Sequence, residues 1–251
     1  MDRSPRAEPA LSGHFREDLE ANLRLVEALA PIHCTDCNGY HLDRARRRLR
    51  APAALDRPEI VRLLRDRLAG SRRAGGALDI LIAGSGDTNL LATCAEAAAA
   101  EHAWVRYAVL DRCQTPLELC AEFARRHGLE AQVHRIDMDA PQGVFAADLI
   151  VVHSLLRFLP GEAHLPAMRA LRRWLKPGGA VIFSHRLIDG SADATGPVHR
   201  AEYGSIDPLR RLLAEAGLRI EALQEHIEDP ALAGARRPRH RVLAVLRAAG
   251  E

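Results

Sequence analysis

Lysine is all but missing from this chain. Lys176 is the only one, so arginine supplies nearly all of the 35 basic side chains. With 33 acids spread among them the net charge is only +2, and the arginines are scattered through helices. That pattern reads as coding bias and excludes the basic face a nucleic-acid partner would need. Long apolar runs are missing too. No segment reaches the roughly 18 residues that span a bilayer, and residues 1–10 lack the apolar core of a signal peptide, so the expected location is cytoplasmic. Cysteine is sparse and odd in number: Cys34, Cys37, Cys94, Cys113 and Cys120. Such a count excludes a disulfide framework and leaves reduced thiols or a metal pair. What remains is a globular composition, 47% hydrophobic and 27% charged, over 251 residues. That length suits one domain or one domain with a small appendage.

The apolar pattern divides the chain in two. Leu19, Leu23, Val26, Leu29 and Ala30 recur at threes and fours, which predicts an amphipathic helix over 15–30 ending before Pro31. A cysteine-bearing loop follows, then helices over 41–49 and 58–68, the second with Pro58 in its first turn. Residues 1–75 thus form a helical N-terminal region, closed by Gly70 and Gly75-Gly76. Beyond it the pattern alternates. Strands are predicted over 79–83, 105–110, 131–136, 147–152, 180–184, 218–224 and 241–246, with helices over 88–102, 115–127, 162–175 and 206–216. Alternation of this kind means crossover units and a mostly parallel sheet covered on both faces. The last two strands have only a Pro-, Arg- and Gly-rich segment between them, so the final strand is expected to run antiparallel. The alanine run 97–100 falls in a helix, where small side chains allow close packing on the sheet.

The stretch that organises the rest is DILIAGSGDTNLL, residues 79–91. Its apolar opening is a buried strand, Gly84-Ser85-Gly86 a sharp turn, and Asp87-Thr88 the first turn of a helix. Glycines suit a backbone that must turn tightly and approach a ligand, and the helix start presents unpaired N–H groups. A nucleoside-containing cofactor is the natural guest, against a purely structural strand-to-helix turn. Other strand ends carry Asp111, able to accept both hydroxyls of a ribose, Asp137-Met138, His153-Ser154, and Ser184-His185 after the loop Lys176-Pro177-Gly178-Gly179. Strand ends of such a sheet cluster in space. A nicotinamide-binding site fits less well, because G-x-G-x-x-G fails at Asn89 and Asp111 comes later than the roughly 20 residues expected.

Taken in order, ILIAGSG, the acid of AVLDRC, the acid of RIDMDAP, FAADLIVVHSLLRFLP and LRRWLKPGGAVIFSHR resemble the class I S-adenosylmethionine-dependent methyltransferases over residues 76–251. The resemblance implies a Rossmann-like α/β domain with a seven-stranded, mostly parallel sheet, helices on both faces and an antiparallel last strand. It also implies a cofactor, S-adenosylmethionine, leaving as S-adenosylhomocysteine. On this chain the family's cofactor roles fall on Gly84, Ser85 and Gly86 for the methionine part, Asp111 with its neighbour Arg112 for the ribose, and Asp137 and Met138 for the adenine, with His153 at the methyl end. Two departures stand out: Thr88 occupies the place of the family's third glycine, and the acid of the first strand sits back at Asp79.

Histidine is the side chain suited to take an acceptor's proton near neutral pH. His153 and His185, at adjacent strand ends, are candidates for that role or for simple strand-end hydrogen bonding. The loop IHCTDCNGYH, residues 32–41, has three readings. Cys34 and Cys37 form a C-x-x-C and His41 follows four residues on, which suits a zinc ion held by Cys34, Cys37 and His41 with its fourth position open. Alternatively Tyr40 and His41 cover the cofactor as part of a lid formed by residues 1–75, with Tyr40 at the reacting centre. The third reading is a pair of buried structural thiols. Cys113 and Cys120 are expected in the core. The whole predicts a methyltransferase for a small-molecule acceptor with an O-, N- or S-nucleophile, without nucleic-acid or membrane partner. Transfer of the cofactor's aminocarboxypropyl arm and a non-catalytic cofactor- or metal-binding protein remain open, as does a homodimer.

Overall fold

Ile80 and Ile82 point to one face of β1 (Leu78–Ala83) and Leu81 and Ala83 to the other, and all four are buried. A strand covered on both sides needs helices on both sides, and the chain supplies them. The computed structural model describes residues 15, 17–33, 37, 39–50, 57–71, 76–187, 203, 205–228 and 239–250. Three helices come first: α1 (Leu19–His33), α2 (Tyr40–Arg50) and α3 (Arg57–Ser71). After β1 follow α4 (Asn89–Ala100), β2 (Val105–Asp111), α5 (Gln114–His127), β3 (Ala131–Arg135), β4 (Ala147–His153), a 3-10 turn (Leu155–Phe158) and α6 (Gly161–Trp174). The chain ends with β5 (Leu175–Leu187), α7 (Ile206–Glu215), β6 (Leu218–Glu228) and β7 (Arg239–Ala248).

The seven strands lie in the order β3-β2-β1-β4-β5-β7-β6, all parallel except β7, which runs antiparallel to both β5 and β6. One core joins Ile80, Ile82, Val109 and Val151 to α3, α4 and α5, and the other joins Leu81, Leu110, Ile150 and Phe183 to α6 and α7. On the first side Ala92, Ala95 and Ala97 of α4 are fully buried, and their short side chains bring α4 close to the strands beneath it. No helix among the described residues is long and apolar enough to cross a membrane.

Two local expectations need correction, and the place of Asp79 is explained. α1 continues through Pro31 to His33, because a proline in the last turn forfeits one backbone bond at a place where the helix is ending anyway. The hairpin of β6 and β7 is longer than the periodicity suggested, reaching Glu228 and starting again at Arg239. Asp79 lies at the amino end of β1, away from the glycine turn. There it takes two bonds from Arg106, at 2.8 and 2.9 Å, and one from Lys176 Nζ at 2.6 Å, while Lys176 also reaches Asp148 at 2.7 Å. The single lysine is thus a clasp for the starts of β1, β2, β4 and β5.

The Pro-Gly-Gly loop serves the same edge. A Cβ at Gly179 would meet the Lys176 carbonyl oxygen at 2.9 Å and that of Ala147 at 3.0 Å, both backbone atoms. Gly179→Ala is therefore expected to lower stability by about 2 kcal/mol, with Tm down by roughly 4–8 °C. At Gly178 the φ of +72° is left-handed but nothing lies within 4 Å, so Gly178→Ala carries only the conformational cost of about 1 kcal/mol. Equal thermal shifts for the two variants would refute the backbone-contact reading.

Candidate active site

The strand order reverses between β1 and β4, and open sheets of this kind hold ligands at the carboxyl edge beside such a switch point. The turn after β1 is held open there by two left-handed glycines, Gly84 at φ 76° and Gly86 at φ 65°. Gly84 N donates to the Leu110 carbonyl at 2.9 Å, locking the turn to β2. Ser85 is buried and its hydroxyl donates to the Asp87 carbonyl at 2.6 Å, so only its backbone is left to face a ligand. Asp111, at the end of β2, accepts from Gly86 N at 3.1 Å and Cys113 N at 2.9 Å. Its carboxylate therefore sits against the glycine turn although 25 residues separate it from Gly86.

The helix start is capped by Asp87, whose Oδ1 accepts from Asn89 N at 2.9 Å. Its Oδ2 accepts from Arg44 Nε of α2 at 2.6 Å. Burial by itself would raise the Asp87 carboxyl, but Arg44 and Arg48 outweigh it and hold the group below its ordinary value. Thr88, in place of a glycine, donates to Glu17 at 2.5 Å and accepts from Asn22 at 3.0 Å, and Glu17 also pairs with Arg48 at 2.5 Å. The departure from the family pattern thus has a local cause: a hydroxyl there docks the N-terminal helices. A cavity of about 20 Å³ is left between them and the turn, room for about one water.

α2 lies across this edge. Its Tyr40 ring meets Phe158, beyond β4, at 5.2 Å, and His41 Nδ1 lies 3.1 Å from the Gly86 carbonyl. Burial lowers the His41 imidazole, with Asp111 and the Gly86 carbonyl opposing that shift. Glu17, Asn22, Arg44 and Arg48 were not singled out from the sequence. The available signal was Tyr40, Arg44 and Arg48 at intervals of four, which share one helix face.

Asp137 and Met138 diverge: Asp137 is exposed and its Oδ1 accepts from Asp139 N at 3.0 Å, whereas Met138 turns into the core beneath β1 and β4. Arg112 is held above its ordinary value; partial burial acts against this, while Cys113, Asp137 and Asp139 raise it.

Beyond β4 the structure gathers a second, basic group. His153 is half-buried and pairs in register with Ser184, and Ser154, at φ 55°, accepts from Arg241 at 3.3 Å. His185 is buried, and among the described residues neither ring nitrogen has a hydrogen-bond partner. Burial, followed by Arg157, His164, Arg241 and His153, pushes it down to about 3. It is therefore a neutral ring, stacked on Phe183 and edge-on to Tyr203. His164 Nδ1 lies 2.8 Å from the Tyr203 hydroxyl. Sequence reasoning missed His164, Tyr203 and Arg241, and for Arg241 the reason is topological: β7 runs antiparallel, so its start lies at the carboxyl edge.

The cysteines also regroup. Cys34, and with it the expected trio of Cys34, Cys37 and His41, lies outside the described residues. Cys113 is the N-cap of α5 and packs, half-buried, against the small core of Val26, Ala30, Cys37 and Leu119, while Cys120 is fully buried and pushed up to about 12 by that burial. The ligand atoms of Cys37, His41 and Cys113 all lie within 4.8 Å of one another.

A seven-stranded sheet in this order with one antiparallel strand, a glycine turn after β1 and an acid after β2 defines a Rossmann-like methyltransferase fold. Residues 81–183 match the model of a methyltransferase domain, so the chain carries an S-adenosylmethionine-dependent methyltransferase domain of the class I type. Among solved structures it is similar to the Burkholderia thailandensis 1,6-didemethyltoxoflavin-N1-methyltransferase, at 18% identity and TM-score 0.60 over 98% of this chain and 94% of that one. It is also similar to the mitomycin 7-O-methyltransferase MmcR, at 19% identity and TM-score 0.55 over 96% and 76% of the two chains. A third, the [4+2]-cyclase SpnF, gives 17% identity and TM-score 0.56 over 76% and 81%. No curated protein matches the chain in sequence.

Proposed function

We propose that this protein transfers a methyl group from S-adenosylmethionine to a small-molecule acceptor bearing an O-, N- or S-nucleophile, by in-line displacement. The observation that carries the reading is the path of α2 across the carboxyl edge, from Phe158 to Gly86 and Asp87. A roof at that place suits a small acceptor better than a polymer. Two of the similar structures, named as methyltransferases of 1,6-didemethyltoxoflavin and of mitomycin, align with nearly the whole chain, which favours the same class.

The donor set fits the cofactor: a carboxylate at Asp111 stands beside the backbone of two left-handed glycines. When bound, S-adenosylmethionine supplies a methyl on a sulfonium and leaves as the neutral thioether S-adenosylhomocysteine. Asp111 accepts the ribose hydroxyls, with Arg112 beside it, and the backbone of Gly84, Ser85 and Gly86 holds the methionine part. Asp137 stands at the adenine side, while Met138 supports it from the core. Tyr40, from α2, closes the acceptor side. A histidine held near 3 is too weak a base for the acceptor's proton, which leaves that task to His153 and gives His185 a positioning part.

Calorimetry with S-adenosylmethionine and S-adenosylhomocysteine is expected to give micromolar binding, and folded protein that binds neither overturns the reading. Screening small nucleophiles with labelled cofactor then identifies the acceptor, and methylthioadenosine as product in place of S-adenosylhomocysteine indicates aminocarboxypropyl transfer instead. With that acceptor, His153→Ala is expected to lower kcat by about 10²-fold or more and leave the affinity for S-adenosylhomocysteine unchanged.

A further inference from the structure

We propose that Cys37, His41 and Cys113 form a binding site for a thiophilic divalent cation of the zinc type, tying the start of α2 to the turn that carries Asp111. The three side chains come from two distant parts of the chain, yet their ligand atoms lie within 4.8 Å of one another. A tetrahedral zinc ion with Zn–S of about 2.3 Å places two sulfurs roughly 3.8 Å apart. Closing the group on an ion therefore takes side-chain adjustment of about 1 Å and no backbone rearrangement.

The backbone under each ligand is already held by bonds that need no ion. Tyr40 N donates to the Cys37 carbonyl at 2.8 Å across a turn that needs Gly39 at φ 73°. His41 follows in the first turn of α2. Cys113 is fixed by its N–H on Asp111 Oδ1. The imidazole is oriented as well: with Nδ1–H donated to the Gly86 carbonyl at 3.1 Å, the lone pair is left on Nε2. A carbonyl partner of this kind sets tautomer and ring direction at many metal-bound histidines.

The chemistry of the set selects the guest. Two thiolates and an imidazole favour zinc over magnesium or calcium, which prefer oxygen. Cys37 and His41 are buried and Cys113 is half-buried. No fourth Cys, His, Asp or Glu joins the group among the described residues, so the fourth position is taken by water or an exogenous ligand. Because Asp111 accepts from the Cys113 amide and the Gly86 amide together, the ion would also stiffen the turn read here as the ribose site.

The proposal is independent of methyl transfer, and metal content and cofactor binding are measured separately. The full chain is purified reduced and without chelator, analysed for metals, stripped, and titrated with Co(II). Expected are one ion per chain, a near-ultraviolet sulfur-to-cobalt band with the intensity of two thiolates, and four-coordinate visible absorption. Cys113→Ser is expected to weaken Co(II) at least tenfold. Should that variant not fold, alkylation mapping of the wild type reads the same point: zinc is expected to protect Cys37 and Cys113 together. Absence of binding by the reduced wild type, unchanged affinity in folded Cys113→Ser, alkylation of Cys113 regardless of zinc, or a Cys37–Cys113 disulfide in the fresh protein would each overturn it.

Discussion

Replacing Arg44 by alanine is expected to lower the stability of the protein by roughly 2–3 kcal/mol, seen as a fall in Tm of about 5–10 °C. The reason is the partner it leaves behind. Asp87 caps α4 with one oxygen and takes Arg44 Nε at 2.6 Å on the other, with 12% of the acid's side chain and 24% of the arginine's exposed. Removing one member of a buried pair strands the other charge, at about 3–5 kcal/mol when burial is complete. The expected value is lower here because a quarter of Arg44 is wet and Arg48 still faces the acid.

The pH dependence separates this account from lost packing. In the wild type Asp87 is held below its ordinary value, so its contribution is fully present above about pH 4 and lost as pH falls through the folded value. Without Arg44, burial is offset only by Arg48 and the Asn89 amide and the same carboxyl moves up, so less of its contribution is gained as pH rises past 4. The difference between wild type and Arg44→Ala should thus be widest near neutrality and shrink on acidification. A constant difference from pH 3 to 7 in denaturant melts would show that the ion pair is not the cause.

The second large effect concerns ligand affinity. Asp111→Ala is expected to weaken S-adenosylhomocysteine at least about 100-fold, equivalent to roughly 3 kcal/mol. A hydrogen bond to a charged group contributes about 1.5–3 kcal/mol, and two ribose hydroxyls converge on one carboxylate in the proposed complex. The same carboxylate also organises the turn through Gly86 N and Cys113 N, so alanine removes both the ligand's acceptor and the support of the loop. Asp111→Asn distinguishes the two parts. It keeps the shape and one acceptor oxygen, so one of the two backbone contacts survives while the other meets an amide donor, and it should lose less stability than alanine while binding at least tenfold more weakly. Wild-type affinity in Asp111→Asn would remove Asp111 from the ribose site. Asp137→Ala, at an exposed position, is expected to change affinity less than tenfold.

The similarity to a [4+2]-cyclase shows why the fold alone does not decide the chemistry. In the proposed reading the acceptor side is built by the end of β4 at His153, the 3-10 turn after it, the starts of α2 and β7, and the buried face around His164, His185 and Tyr203. Of these, only His153, His185 and Tyr40 were legible as candidates, because each sits at a strand or helix end that local patterning marks. His164 reads in sequence as an ordinary residue of an amphipathic helix, and nothing in its neighbours announces that its ring closes on Tyr203.

Local chemistry by itself determined the seven strands, their alternation with helices, the glycine turn and the strand-end acid. The continuous apolar run of Ile80, Leu81, Ile82 and Ala83, the glycines at positive φ and the acid at the end of β2 are each properties of a few consecutive residues. Only the tertiary structure decided which distant residues meet. Cys113 joins Cys37 and His41 because α2 docks on the turns after β1 and β2. Thr88 meets Asn22 and Glu17 because the N-terminal helices lie on α4's start. Arg241 reaches Ser154 because β7 inserts antiparallel beside β5. Strand order and helix docking follow from burying whole faces at once, a global condition that many local patterns satisfy equally well and that no short window of sequence records.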